Sequence, residues 1–465
     1  MTIGSTGPGE VSLARALTRT ALAVDPGRFD AEVIAKAKIC LLDFLSCAFE
    51  ARNHPWSRQA IGIAREVGNG ATIVGTGMLT SPGDAAFANA TMGHGLVRED
   101  MHAASICHHG VVIWPTLLAL SERTPLSGAS FLAAAIIGYE TGAQIGRALF
   151  TADLARLYRP TGLVAPLGAA LAGSYALGLT EDAATSAVAI AANTSSGLNE
   201  WPRAGGSEMY FHPGFAARNA IAAIELAEAG ARASETILEG EAGLFAAFRR
   251  QPAPDDIRLF TGAEPEIMAV YNKPAPACNF AQTAAQAALR AARELGSSAD
   301  IATVAIRVPE AAARYPGCDS KGPFHNALQA KMSIPFSVAA VLARGALEEE
   351  NYADIDDPRI LSLVERTELQ SVPDLTAAFP ANQGAEILVG LRNGKTIHHR
   401  LDNVIAATPE EIRTRFRQAA SGVIGDMPAR HLEDLVDNCA SLPDSRIIAA
   451  RCRLEPAEQW LRPAS

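Results

Sequence analysis

Residues 30–51 read DAEVIAKAKICLLDFLSCAFEA. Val33, Ile34, Ala37, Leu41, Leu42, Phe44 and Leu45 return at helical spacing, and Asp30 stands where an N-cap accepts free backbone N–H groups. The stretch predicts a long, largely buried helix, and the rest of the chain repeats its texture. Ala is frequent and aromatics are only 6 %, and Ala enters helices at the least entropic cost. Helical patterns recur over 57–67, 83–95, 111–122, 130–147, 162–176, 180–193 and 213–229, with a short one at 234–239. Turns are expected at 66–70 and 177–181.

Near residue 250 the texture changes. Pro252, Pro254, Pro265, Pro274 and Pro276 cluster there. A helical pattern over 280–294 follows, and then alternating strand patterns over 301–308, 385–391 and 396–401. Asn393-Gly394 between the last two is the strongest short hairpin signal in the chain. Thr408-Pro-Glu-Glu411 carries a capping box that opens a further helix. The expected fold is mostly α: a large all-helical domain over 1–265, a smaller α+β domain over 266–404, and a helical return over 405–465 packing on the first.

The 465 residues carry 40 Lys+Arg against 50 Asp+Glu, a net charge of −10, with 48 % hydrophobic and 19 % charged residues. That balance builds globular cores and argues against nucleic acid as a partner, which needs clustered cations. The N-terminus lacks a charged-then-apolar signal pattern, and no apolar run is long enough to span a bilayer. The seven cysteines include no CxxC. A reduced, cytoplasmic protein with no membrane partner is expected. There is no GxxxxGK[ST], no GxGxxG after a strand and no GxSxG, so nothing points to nucleotide, nicotinamide or serine-hydrolase chemistry.

Residues 93–110 read GHGLVREDMHAASICHHG and hold four of the ten histidines, His94, His102, His108 and His109, beside Arg98, Glu99 and Asp100. Imidazoles beside carboxylates carry general acid–base work near neutral pH. The same mix can hold a metal, but the spacing matches neither HExxH nor a cysteine-based zinc site. Three other polar islands stand in apolar surroundings. Arg159 in Tyr158-Arg-Pro-Thr-Gly162 can clamp a carboxylate at a helix N-terminus. Residues 199–214 (NEWPRAGGSEMYFHPG) bring Tyr210 and His212 to the start of another helix. Lys273 lies in the proline-stiffened turn 271–278, YNKPAPAC.

In this order, these stretches resemble the MmgE/PrpD family, which includes 2-methylcitrate dehydratase, cis-aconitate decarboxylase and iminodisuccinate epimerase. The resemblance runs from AKICLLDFLSCAFEA (37–51) and ATIVGTG (71–77) through 86–110, 160–168, SSGL (195–198) and FHPGFAARN (211–219). It continues through KPAPAC (273–278), AKMSIPF (330–336) and TPEEIRTRF (408–416). It implies a helical domain with an α+β lid, an active site between them, a homodimer, and no metal or organic cofactor. Val97 and Asp100 fall on the first and last Asp of the family's DFDD run, and Met101 falls on the Thr that follows. Arg159, Met209, Gln282 and Phe336 fall on its usual His, Lys, His and Tyr. Of the family's proton-handling set, His108 and Lys273 remain.

The expected activity is that of a cofactor-independent, lyase-like enzyme taking a proton from carbon next to a carboxylate, in dehydration or decarboxylation. An epimerase with His108 and His102 on opposite sides of the substrate, and a catalytically lapsed binding protein, are the alternatives. The expected catalytic residues are His108, Lys273, Asp100 and His102. The expected binding residues are Arg159, Arg98, Tyr210, His212 and His109, with no metal ligand. Arg98, Arg159, Lys273 and Lys331 are expected to converge on one cleft and take a small anion despite the net charge. Apolar Met209 and Phe336 suggest a substrate with fewer carboxylates, or a larger apolar part, than a tricarboxylate.

Overall fold

In the computed structural model, the helix Ala31–Ala51 starts where Asp30 accepts from the backbone N–H groups of Glu32 and Val33. It packs against the helices Pro82–His94 and Pro409–Ile424. The structure describes residues 11–249, 251–254 and 256–454; the outer ends of the expected first and last segments, 1–10 and 455–465, lie outside them. The molecule is mostly α with a smaller α+β part.

The Ala-rich patterns become the helices Gly110–Arg123, Gly128–Leu149, Pro160–Ala176, Glu181–Asn193 and His212–Glu228. Small residues let these helices approach closely. A Cβ on Gly168 would overlap the carbonyl oxygen of Gly138, where Pro160–Ala176 crosses Gly128–Leu149. Gly168→Ala is therefore expected to lower stability by about 2–3 kcal/mol, read as a lower urea midpoint with an unchanged slope.

Two hydrophobic cores result. One gathers the helices from Ala14 to Ile224 with Ile267, Val270 and the returning residues Ile412 to Cys452. The other runs from Ala277 to Leu401 and takes in Trp56, Val97, Trp201, Met209 and Tyr210 from the helical part. Thr408 closes a full capping box with Glu411 at the start of the returning helix.

The second core is built on a four-stranded sheet. Ile301–Val308 lies between Thr367–Ser371, parallel to it, and Ala385–Leu391, antiparallel; Thr396–Leu401 completes the other edge. Gly394 turns the hairpin at φ 85°, a backbone region open to Gly without a Cβ penalty.

Three local expectations change. Residues 66–70 are strand, not turn, because Glu66–Thr72 pairs with the two-residue strand Leu79–Thr80, too short to show as a pattern. The helix expected over 57–67 is Pro55–Gly62. The short helix expected over 234–239 is instead a run of turns over 235–239. A further small pairing, Met101–His102 with Val270–Tyr271, ties the histidine-rich loop to the segment carrying Lys273. No helix among the described residues is long and apolar enough to cross a membrane.

Candidate active site

The histidine-rich loop leaves the helix Pro82–His94 and enters Gly110–Arg123. Two of its residues have left-handed backbone, Val97 at φ 58° and Ile106 at φ 54°. β-branched side chains resist that conformation, which costs on the order of 1–3 kcal/mol at each position. Both residues line one small cavity of about 20 Å³. The helical part contributes Met101, His108 and Arg159 to its wall, and the second core contributes Cys278, Asn279, Phe280, Tyr315 and Met332.

The protonation pattern follows from the donors. Arg159 donates from Nη2 to His94 Nε2 across 3.2 Å. Arginine has no acceptor, so the His94 proton sits on Nδ1 and is donated to Glu99 Oε1 at 2.5 Å. His108 Nδ1 lies 2.8 Å from the Asp100 carbonyl oxygen and 3.0 Å from the same Glu99 oxygen. Both neighbours are acceptors, so Nδ1 carries the proton and Nε2 keeps a lone pair. The backbone N–H of His108 donates to the Thr161 hydroxyl at 3.1 Å, fixing the ring against the first turn of Pro160–Ala176.

Burial sets the charges. It lowers both His94 and His108, the latter well below the ordinary imidazole value, and Glu99 only partly opposes it. Burial alone would raise Glu99; the Nδ1–H groups of His94 and His108 that meet its Oε1, together with Lys273, outweigh it and hold the carboxylate below its ordinary range. A glutamate charge thus lies behind a neutral imidazole, with its Oε2 lacking a hydrogen-bond partner among the described residues. Sequence reasoning did not select Glu99, which read as one more charge in a charged loop. Its signal was its place directly before Asp100 and within reach of two clustered histidines.

The other expected residues spread out. Lys273 is fully buried and donates to the carbonyl oxygens of Val97 and Ala277, so it braces the left-handed turn and does not reach the cavity wall. Arg98 is paired bidentately with Glu50, at 2.5 and 3.3 Å. Lys331 is held by Glu349 at 2.7 Å and the Leu96 carbonyl at 3.0 Å. The expected cluster of four cations therefore does not form; three of them are committed elsewhere, and Arg159 faces the cavity.

His102 and His109 belong to a second network under the loop. His102 bonds Glu266 through Nε2 and the Ser105 hydroxyl through Nδ1, both at 2.8 Å. Ser105 also meets His109 Nε2 at 3.0 Å. His102 thus does not stand across the cavity from His108. Tyr210 stacks on Trp56 at 3.8 Å between ring centroids. His212, lowered to about 3 by burial, opens the helix His212–Glu228. Neither lines the cavity.

Asp100 turns away as well. Its Oδ2 accepts from the Tyr139 hydroxyl, which in turn accepts from Trp114 Nε1 at 3.0 Å. A Cβ on Gly110 would overlap both Tyr139 Oη and the Asp100 carboxylate, so only glycine fits there. Burial pushes Asp100 up to about 7 from its ordinary 3.8. A raised folded-state value means this group's stabilisation is complete below about pH 4 and is lost as pH rises through 7. Asp100→Asn keeps the acceptor and removes the charge, so it is expected to gain stability over wild type from pH 5 to pH 8, as thermal midpoints will show.

Residues at the family's usual polar positions have found other partners. Met209 packs its sulfur 2.9 Å from His94 Nε2. Gln282 knits the 273–278 turn by accepting from Ala275 N–H and donating to the Ala275 and Ala277 carbonyls, at 2.9–3.0 Å. Phe336 lies in the second core against Phe324 and Tyr352. Since Met209 and Phe336 do not line the cavity, its apolar character comes from Val97, Met101, Ile106, Phe280 and Met332. Cys278 completes the wall, its Sγ 3.7 Å from Cys318 Sγ. The bond with Cys318 lowers the Cys278 thiol to about 7, against burial and with help from the Phe280 backbone and Lys273. Among the described residues no group of three or more His, Cys, Asp or Glu side chains is arranged to hold a metal ion.

These features define a class: a two-core helical protein that encloses a carboxylate–imidazole pair and one arginine between its helical and α+β parts. Comparison with known proteins agrees. The MmgE/PrpD N-terminal domain matches residues 15–256 and the MmgE/PrpD C-terminal domain residues 275–441. The chain belongs to the MmgE/PrpD family. It is 25 % identical to the cis-aconitate decarboxylase-like protein oryM of Aspergillus oryzae over 445 residues, 88 % of this chain and 91 % of that protein. It is 28 % identical to 2-methylcitrate dehydratase of Cupriavidus necator over 405 residues, 80 % of each. With cis-aconitate decarboxylase of Aspergillus terreus it shares 31 % over 223 residues, 46 % of this chain and 45 % of that protein.

Proposed function

We propose that this chain is a lyase that takes a proton from the carbon next to a carboxylate of a small organic acid, in dehydration or decarboxylation, without a cofactor. The observation that carries the reading is His108: a neutral imidazole on the wall of a small cavity, its Nδ1–H held by the Asp100 carbonyl and its Nε2 without a partner among the described residues. The relatives named as a decarboxylase and a dehydratase point to the same chemistry.

In the first step the C–H bond breaks, the proton goes to His108 Nε2, and the electron pair moves into the adjoining carboxylate. Arg159 holds that carboxylate and the charge that grows on it. Glu99 stabilises the imidazolium that forms, as a carboxylate does behind a catalytic histidine. In an elimination the pair then forms the new double bond as hydroxide leaves with a proton. In a decarboxylation the first pair takes its proton back from the His108 imidazolium, the C–C bond to the departing carboxylate then breaks, and the pair left on carbon as carbon dioxide leaves takes the Cys278 proton. The His108 imidazolium and the Cys278 thiol are the proton donors on the wall.

Cys278 also supports the epimerase as a second reading, because a second titratable group shares the cavity with His108. In that reading Cys278→Ser stops interconversion of the two hands while exchange at one hand continues. Against a lapsed binding protein stand two strained β-branched residues and a buried carboxylate, costly features at a site with no chemistry. A homodimer in the cytoplasm is part of the proposal, and light scattering giving twice the chain mass would agree with the dimer.

The test is exchange in heavy water. A panel of dicarboxylates is incubated with the protein and deuterium is sought at the carbon next to the carboxylate. Incorporation supports the reading; a ligand that binds and never exchanges contradicts it.

A further inference from the structure

The chamber beside His108 and Arg159 is too small for a whole substrate. About 20 Å³ holds on the order of one water, so most of a substrate must lie elsewhere. Directly next to it is a cavity of about 260 Å³. The two share Ile106, Phe280 and Tyr315 as common wall.

The character of the larger space is decided by what lines it. Buried Ala155, half-buried Ala311 and the Phe280–Phe379 ring pair, 6.0 Å between centroids, make an apolar floor. The charges stay outside: Asp153, Arg156, Glu310 and Arg314 stand at the rim with balanced signs, and Arg314 pairs with Glu310 at 2.8 Å. Such a lining has no net charge to offer a second carboxylate, and its two hydroxyls are already engaged, Tyr315 accepting from Asn199 Nδ2 at 3.3 Å and Thr376 donating to the Val372 carbonyl at 2.8 Å. Ile106 stands between the two spaces in left-handed backbone. The reciprocal bonds of His102 and Cys107, at 2.9 and 3.2 Å, hold it there. The loop thus places a branched apolar side chain, at a cost in strain, on the boundary between the two cavities.

We propose that the substrate is a carboxylate bearing an apolar arm of several carbons, which passes Ile106, Phe280 and Tyr315 and lies in this cavity while its reacting carbon faces His108. This rests on His108 as the base, and deepens that reading by naming the substrate class. The arm binds by removal of apolar surface from water, which is worth about fourfold in affinity per buried methylene.

The experiment uses the full chain and a series of 2-alkylsuccinates from methyl to hexyl. Affinity is measured by calorimetry, and exchange at the substituted carbon by deuterium uptake. Affinity and exchange efficiency are expected to rise about fourfold per methylene over the first few members. Ala311→Phe fills the space from the floor and Ala152→Phe from the exposed rim. Each is expected to flatten the rise while leaving the methyl compound unchanged, and the exposed Ala152 site keeps the test usable if Ala311→Phe fails to fold. A flat or falling series in wild type, with the methyl compound exchanging normally, overturns the apolar arm and leaves His108 as base. Tight, length-dependent binding without exchange in any member overturns the base and keeps the cavity as a binding site for the arm. A series in which no member binds or exchanges overturns both.

Discussion

His108→Ala is expected to lower the rate of proton abstraction by about 10²–10⁴-fold, the usual worth of a placed general base. The side chain is buried and, among the described residues, makes its own hydrogen bonds only to the Asp100 carbonyl and Glu99, so the fold should survive its loss. What disappears is the lone pair on Nε2. Truncation leaves a ring-sized space opening on the cavity, and added imidazole is expected to restore part of the rate. Heavy-water exchange and turnover should fall together, because both require the same proton transfer. An undiminished exchange rate would remove the role assigned to this residue.

Glu99→Gln is expected to lower the rate by a similar order, about 10²–10³-fold, for a different reason. The amide oxygen can still accept from one of the two imidazole N–H groups, so ring orientation is largely kept. The negative charge that stabilises the imidazolium is gone. The pH profile separates this from simple misfolding. Burial lowers His108, and Glu99 is the largest influence raising it; without that charge the imidazole is pushed lower still. The acid limb of kcat/KM is therefore expected to move to lower pH while the plateau falls. A structural defect would lower the plateau and leave the limb in place. Lys273 would also lose its principal stabilising neighbour, so the variant is expected to be less stable as well.

Much of the fold was legible because its signals are local. Asp30, Thr408 and Asn393-Gly394 act within a few residues, strands 301–308 and 396–401 largely alternate along their own length, and 385–391 is an apolar run beside the hairpin turn. Thr367–Ser371 was not legible: it is a half-exposed edge strand whose existence depends on a parallel neighbour some sixty residues earlier, and TELQS alone shows no pattern. Glu66–Thr72 was hidden for the same kind of reason.

The site was legible as a region. Four histidines among carboxylates marked the loop, and Arg159 marked the helix start. Which side chains meet the cavity was not, because Val97 and Ile106 adopt a backbone that their residue types disfavour, and those two turns decide what faces inward. Nor does local sequence show that Arg98 is taken by Glu50 or Lys331 by Glu349, since those pairings are made by the folded chain. Glu99 was passed over because its value lies in its two imidazole partners, not in its own surroundings along the chain.

The central claim is that His108 is a neutral imidazole protonated on Nδ1, with Nε2 open to the cavity. Nitrogen-15 spectra of histidine-labelled protein, with His108→Ala used to assign the resonance, read both nitrogens directly. The structure predicts a protonated Nδ1 and an unprotonated Nε2 for His108 from pH 6 to 8, without titration in that range. A doubly protonated ring at pH 7, or the proton resting on Nε2, would contradict it.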